Sequence, residues 1–202
     1  MSVHRGSPLA LTVLALLHYK PLHPYGLQRL IQQWGKDQVV NVGQRASLYR
    51  TIDRLLAEDL IAVRATTRDQ AYPERTEYEV TDLGRQVARD WLKAMLGTPR
   101  QEFPDFPAAL SNLLLLTPDE LADALEQRLA VLDATAAELD ASLAAEATRG
   151  LPRIAMLESE YLHVVTTAEQ QWVRSVIADI RSGKVPWSAD ALAAFAADQP
   201  QS

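Results

Sequence analysis

The chain contains no cysteine, which excludes disulfides, thiolate metal sites and cysteine nucleophiles together and fits a reducing cytoplasm. It has no Gly-rich phosphate loop, nucleophile elbow, HExxH motif or paired catalytic carboxylates, so neither catalysis nor a cofactor or metal is expected. Long apolar runs are scarce. The longest near the N-terminus, Leu9 to Leu17, is too short to cross a bilayer, and the His18-Tyr19-Lys20-Pro21 that follows is not a small-residue cleavage site. A buried first helix and a cytoplasmic protein without a membrane partner are the expectation. What is present is 202 residues with 48% hydrophobic content, enough for one sizeable core or two small ones, with disorder expected only at the ends.

The net charge of -6 argues at first sight against a nucleic-acid binder, but the charge is unevenly spread. Residues 1–90 hold 12 Lys/Arg and 10 Asp/Glu, whereas residues 91–202 hold 8 and 16. The N-terminal part is therefore mildly basic and the remainder acidic. Such a division is compatible with DNA binding in which only a few side chains touch phosphate.

Between Gln44 and Gly84 the sequence reads as an amphipathic helix, a short strand, a charged turn, a second strand and a new helix start. That order predicts a winged helix-turn-helix, hence sequence-specific binding of double-stranded DNA. Leu48, Ile52, Leu55 and Leu56 fall on one stripe of the helix. At about 100° per residue Arg50 lies almost opposite, beside Ala46 and Ala57 and near Arg54. This face predicts contact with DNA through Gln44, Arg45, Ser47, Tyr49, Arg50 and Arg54. The Tyr49 hydroxyl could meet a phosphate or the ring could pack at the helix edge, and Tyr25 upstream has the same two readings. Ala62 to Thr67 and Tyr78 to Thr81 read as the strands of the wing, with Arg68 and Arg75 in the loop between them, where they could reach the sugar-phosphate backbone. Thr81 or Asp82 can cap the following helix.

These residues resemble the PadR family of bacterial transcriptional regulators. The resemblance rests on Pro24-Tyr25-Gly26-Leu27, Leu48-Tyr49, Leu55-Leu56, Asp59-Leu60-Ile61, Pro73-x-Arg75-x-x-Tyr78-x-Val80-Thr81-x-x-Gly84 and Trp91, an ordered set over Pro8 to Leu96. Downstream it extends only to the organisation. It implies a homodimeric repressor on a pseudo-palindromic operator, whose relief calls for either a small-molecule effector or a modification that changes the spacing of the two reading helices. Arg50 stands where many members have proline, and Arg45-Ala46 replaces a common Pro-Gly pair, so the operator sequence is not transferable from a relative.

The fold class expected is mainly α with a small β-hairpin: a winged helix-turn-helix over 1–96, a linker over 97–107 containing Pro99, Pro104 and Pro107, and a helical dimerisation domain over 108–202. Upstream helices are expected from Pro8 to His18 and from Pro24 to Trp34, with a loop over Gly35 to Gly43 that includes an extended piece at Val39 to Val42. Thr117-Pro118-Asp119-Glu120 is a capping box, predicting a long helix whose seam carries Leu121, Leu125, Leu129 and Leu132. After Gly150-Leu151-Pro152 a return helix carries Ile154, Leu157, Tyr161, Val164 or Val165, Ala168, Trp172, Val176 and Ile180. Two such stripes need a partner surface, taken to be a second copy. The alanine-rich tail after Trp187 reads as a short helix or a frayed end.

Other readings stay beside these. Trp91 and Trp172 fit either core and interface aromatics or the lining of a flat effector pocket. Glu160 and His163 form half of a carboxylate-bridged metal arrangement with no second half, and His18 and His23 flank a turn, so all of them default to structural roles. The alternative function is a helical protein-interaction adaptor that uses the winged helix as scaffold.

Overall fold

The computed structural model describes residues 6–36, 39–40, 45–69 and 72–188. The chain divides into two compact units, Met1–Glu102 and Phe103–Ser202. It is mainly helical with one two-stranded antiparallel sheet, and its N-terminal unit is a winged helix-turn-helix. The tail from residue 189 onward and Asn41-Val42 lie outside the described residues.

The first unit is built around α1 (Pro8–Tyr19), which is apolar nearly all round and buries Leu9, Ala10, Val13, Leu14, Leu16 and Leu17. A helix with no polar face is stable only when covered on several sides, and α3 (Arg45–Ala57), β2 (Tyr72–Val80) and α4 (Asp82–Gly97) all pack against it. Pro8 occupies the first turn, and Ser7 caps it by accepting from the Ala10 N–H at 3.2 Å. The next helix, α2 (Pro24–Gln33), again begins on proline, and its cap is the His23 ring, whose Nδ1 accepts from the Gly26 N–H at 2.8 Å. From α2 the core receives Leu27 and Ile31, and from α3 Leu48, Ile52 and Leu55. Each such fully buried side chain contributes about 1.5–3 kcal/mol of hydrophobic stabilisation.

The turn from α3 into β1 (Ile61–Asp69) passes through Asp59, whose φ of 55° is left-handed, a conformation that Asp tolerates better than most residues. The Leu60 N–H closes the helix end on the Leu55 carbonyl at 2.9 Å, and the Thr81 hydroxyl donates to the Asp59 carbonyl at 2.7 Å. Thr81 also caps α4 by accepting from the Gly84 N–H at 2.9 Å. Leu22, between α1 and α2, bridges Tyr78 of β2 through reciprocal backbone hydrogen bonds of 3.1 and 3.0 Å. The helix-turn-helix is thereby tied to the base of the hairpin.

The hairpin is longer than the sequence reading. Pairing continues from Ile61↔Val80 out to Asp69↔Tyr72, so Arg68 and Arg75 lie in strands rather than in an eight-residue loop. The ladder accommodates Pro73 because β2 has one residue more than β1 between Thr67↔Arg75 and Asp69↔Tyr72, a bulge in which a missing N–H costs no regular ladder bond. A second irregularity, between Val63 and Ala65, leaves Arg64 as the extra residue of β1.

In the second unit a short α5 (Asp105–Leu110) and a 3₁₀ turn at Leu113–Leu115 lead into α6 (Pro118–Thr148). The capping box is complete: Glu120 accepts from the Thr117 N–H at 2.8 Å, and Thr117 accepts from the Glu120 N–H at 3.3 Å. The Thr117 N–H and the Thr117 hydroxyl, which also donates to the Glu120 carboxylate at 2.9 Å, together hold that carboxyl below its usual range. After a 3₁₀ turn at Arg153–Ala155, α7 (Leu157–Arg181) returns along α6. The two pack through Leu121, Ala122 and Leu125 against Val173 and Ile180. Cross-helix polar bonds flank this seam. Asp133 accepts from Gln170 at 2.7 Å and Arg174 at 2.5 Å, and Arg181 bonds Asp119, Asp123 and Glu126 at 2.7–3.2 Å.

Candidate nucleic-acid interface

The buried stripe of α3 fixes what the helix shows outward. With Leu48, Ile52 and Leu55 in the core, Ala46, Tyr49, Arg50, Asp53 and Ala57 are exposed and Ser47 is half-buried. Alanines at 46 and 57 keep the outer face low, which lets a helix sit deep against another surface. Arg50 donates from Nε to the Ala46 carbonyl at 3.2 Å, so the guanidinium lies back along the helix with its two terminal nitrogens directed away from that bond. Thr51, facing inward, bonds the Ser47 carbonyl at 2.9 Å.

Arg54 is placed differently from Arg50. It is half-buried, its Nη2 reaches Ser7 Oγ at 3.5 Å, and its Nε is buried without a hydrogen-bond partner among the described residues. The side chain is thus turned to the start of α1, away from the face that carries Arg50. Tyr49 is 51% exposed and Tyr25, at the start of α2, 64%. Tyr25 stacks on His23 with ring centroids 6.1 Å apart, so the cap of α2 and this tyrosine form one small platform. Gln44 lies outside the described residues. So do the side chains of Arg45, Arg68 and Arg75, whose backbones are in α3, β1 and β2.

Two residues of this surface carry no contact signal in the sequence, where Tyr78 is legible only as a strand and motif residue of the wing and Asp53 only as a polar position of the helix. Tyr78, at the base of the wing, is half-buried. Burial pushes its phenol above the usual range, with the nearby Asp53 carboxylate and Tyr49 adding to the shift. Asp53 itself is exposed on α3. Its place on the polar stripe follows from the helical period, whereas a lone carboxylate on a solvated face carries no local signal of a contact.

In the helical unit, the residues expected at an interface fall into two groups. Leu121 and Leu125 are buried between α6 and α7 of the same chain, and Leu129, Leu132 and Val176 are partly buried around that cluster. Tyr161 and Trp172 are exposed, together with Leu157, Val164 and Val165. The reason is that α7 carries two apolar faces. Gln170, Val173, Ile177 and Ile180 turn toward α6 or its cluster, while Tyr161, Val165, Ala168 and Trp172 lie roughly a third of a turn away by the 100° step of the helix.

Trp172 makes an edge-on contact with Phe106 of α5, whose ring also carries the Arg128 guanidinium at 3.6 Å. Trp91 is buried in the core of the first unit, with its indole N–H lacking a hydrogen-bond partner among the described residues. Glu160 is engaged by Arg153 and His163 by Asp140 at 2.9 Å. Among the described residues no group of His, Asp and Glu is disposed to hold a metal ion. Nor, among them, is any helix long and apolar enough to cross a membrane.

Residues 13–90 match the family described as Transcriptional regulator PadR-like. The fold is similar to that of Bacillus subtilis PadR in complex with operator DNA, with a TM-score of 0.72 at 21% identity over 86% of this chain and 99% of that one. It is also similar to the same protein in complex with p-coumaric acid, with a TM-score of 0.69 at 19% identity over 86% and 98%. The Vibrio cholerae virulence activator AphA gives a TM-score of 0.63 at 17% identity, again over 86% and 98%. No curated protein matches the sequence. Through the winged-helix unit that holds residues 13–90, this chain matches the PadR-like family of transcriptional regulators.

Proposed function

We propose that this chain is a sequence-specific transcriptional regulator that binds double-stranded DNA as a homodimer, with residues 1–96 contacting DNA and residues 108–202 joining the two copies across a linker at 97–107. The observation that carries the reading is the outward face of α3, where Arg50 and Tyr49 stand between low alanines beside a two-stranded wing. A helix of this shape fits the major groove, and Arg50 is the side chain to reach a base edge or phosphate. Arg68 and Arg75 of the wing supply backbone contacts that do not depend on sequence. Tyr25, Ser47 and Arg45 complete the surface, and Arg54 serves it by fixing α3 to α1.

A dimer related by a two-fold axis presents two such helices about one helical turn apart, so the operator is a pseudo-palindrome. The exposed apolar residues of α7, Tyr161, Val165 and Trp172, supply the interface. Repression follows from occupying a promoter in the cytoplasm. A small-molecule effector, a class to which the p-coumaric acid found in complex with B. subtilis PadR is a guide, relieves it by altering the spacing of the reading helices, with the exposed Trp172 of the helical unit as the aromatic candidate for its pocket; Trp91 is taken up by the core of the first unit. Selection of genomic fragments by the full-length chain tests the reading. Recovery of a shared motif with two inverted half-sites supports it, and recovery of unrelated fragments favours the adaptor alternative.

A further inference from the structure

The exposed face of α3 is not purely cationic. At about 100° per residue, Asp53 falls between Tyr49 and Arg50, both one turn before it, and Ala57 lies one turn after. Tyr49, Arg50, Asp53 and Ala57 are all exposed. Among the described residues no hydrogen bond or ion pair engages the Asp53 carboxylate, although Arg50 is only three positions away; the Arg50 Nε is bound instead to the Ala46 carbonyl. Tyr78, on the strand beside the helix, feels the charge of Asp53, so the carboxylate sits where α3 meets the wing.

A carboxylate with no partner among the described residues, on a surface that faces a polyanion, is repelled by phosphates within the screening length of about 8–10 Å. It becomes favourable only where the duplex offers a donor. In the major groove the exocyclic amino group of cytosine is such a donor, and carboxylates recognise it.

We propose that Asp53 is a specificity-determining residue, which accepts a hydrogen bond from a cytosine amino group in each operator half-site and penalises duplexes that lack it. The inference rests on the reading of α3 as the DNA-contacting helix and adds to it the base class that one position demands. Arg50 supplies attraction on the same face, and Asp53 makes that attraction conditional on sequence. This is discrimination by an unpaired charge against the wrong partner.

The test uses the full-length chain, Asp53→Asn and Asp53→Ala, each checked for unchanged helicity and thermal midpoint, and a randomised pool of duplex DNA. The wild-type protein should select a motif with a fixed cytosine in each half-site. Asp53→Asn, which adds an amide donor, should move that position toward adenine, the base that an amide reads in two hydrogen bonds. Asp53→Ala should lose the preference there, roughly five- to hundredfold in discrimination, and bind unrelated duplex more tightly than the wild type because the repulsion is gone. A motif for Asp53→Asn or Asp53→Ala identical to that of the wild type overturns the inference while leaving the regulator reading intact. Absence of any motif for the wild type overturns both.

Discussion

Gly84→Ala is the substitution whose outcome separates the packing described here from ordinary helix propensity. In an exposed helix, exchanging Gly for Ala stabilises by about 1 kcal/mol. At Gly84 a Cβ would lie 2.0 Å from the Leu60 carbonyl oxygen, 2.9 Å from its carbon and 2.9 Å from Val80 Cγ2. The first two are backbone atoms of the turn that joins α3 to β1, and cannot swing aside. Relief requires that turn and α4 to separate, which disturbs the Thr81 N–H to Leu60 carbonyl bond of 3.1 Å, worth about 1 kcal/mol. Overpacking of this kind costs about 1–3 kcal/mol, so the net effect is destabilisation of about 1–3 kcal/mol. For the N-terminal unit of about 100 residues, each kcal/mol lowers the midpoint by about 4–8 °C. Thermal unfolding followed by circular dichroism reads this directly, with Gly97→Ala as the control because nothing lies within 4 Å of a Cβ there. A midpoint for Gly84→Ala equal to or above that of the parent would refute the close approach of α4 to the α3–β1 turn. The same variant should also weaken DNA binding, since the displaced turn carries both α3 and the wing.

Four further outcomes follow from the same contacts. Charged replacements at Tyr161 and Trp172 should convert the full-length protein to monomer in analytical ultracentrifugation while preserving helicity, whereas a charge at the buried Leu125 should unfold the α6–α7 hairpin itself; a dimer that survives the former places the interface elsewhere. Combined Arg68→Ala and Arg75→Ala should flatten the salt dependence of DNA binding and lower affinity evenly across sequences, and unchanged slopes would remove the wing from the contact surface. Thr117→Ala should destabilise the start of α6 by about 1 kcal/mol, read as a lower midpoint of the C-terminal unit. Because bonds from Thr117 depress the Glu120 carboxyl, its contribution is complete above the unfolded value near pH 4.5 and is lost as the pH falls through the lower folded value; Glu120→Gln should remove that acid step from the pH profile, and an unaltered profile contradicts the assignment.

Local rules explain why much of this fold was legible in the sequence. Pro8, Pro24 and Pro118 mark helix starts because a first-turn residue has no N–H to pair, and the Thr117 to Glu120 spacing announces a capping box. The 3.6-residue period of Leu48, Ile52 and Leu55 assigns the buried side of α3 and, by subtraction, its outward face. Pro73 suggests a loop and so shortens the wing expected from sequence, while only the pairing partner shows that a bulge absorbs it. The orientation of Arg54 depends on Ser7, 47 residues away, and no local pattern encodes such a contact. In α7, apolar residues crowd two adjoining faces, and periodicity cannot say which of them α6 covers. Packing chooses Val173 and Ile180 and leaves Tyr161 and Trp172 outward.

The central claim is that α3 reads DNA, and the affinity of Arg50→Ala for the selected operator, at one fixed salt concentration, tests it most directly. The Arg50 side chain is exposed and its one described hydrogen bond is to its own helix, so its removal should leave the fold and thermal midpoint unchanged. Loss of one base or phosphate contact per subunit should weaken binding by about 1–3 kcal/mol for each half-site. Affinity equal to that of the parent, with the fold intact, would contradict the account.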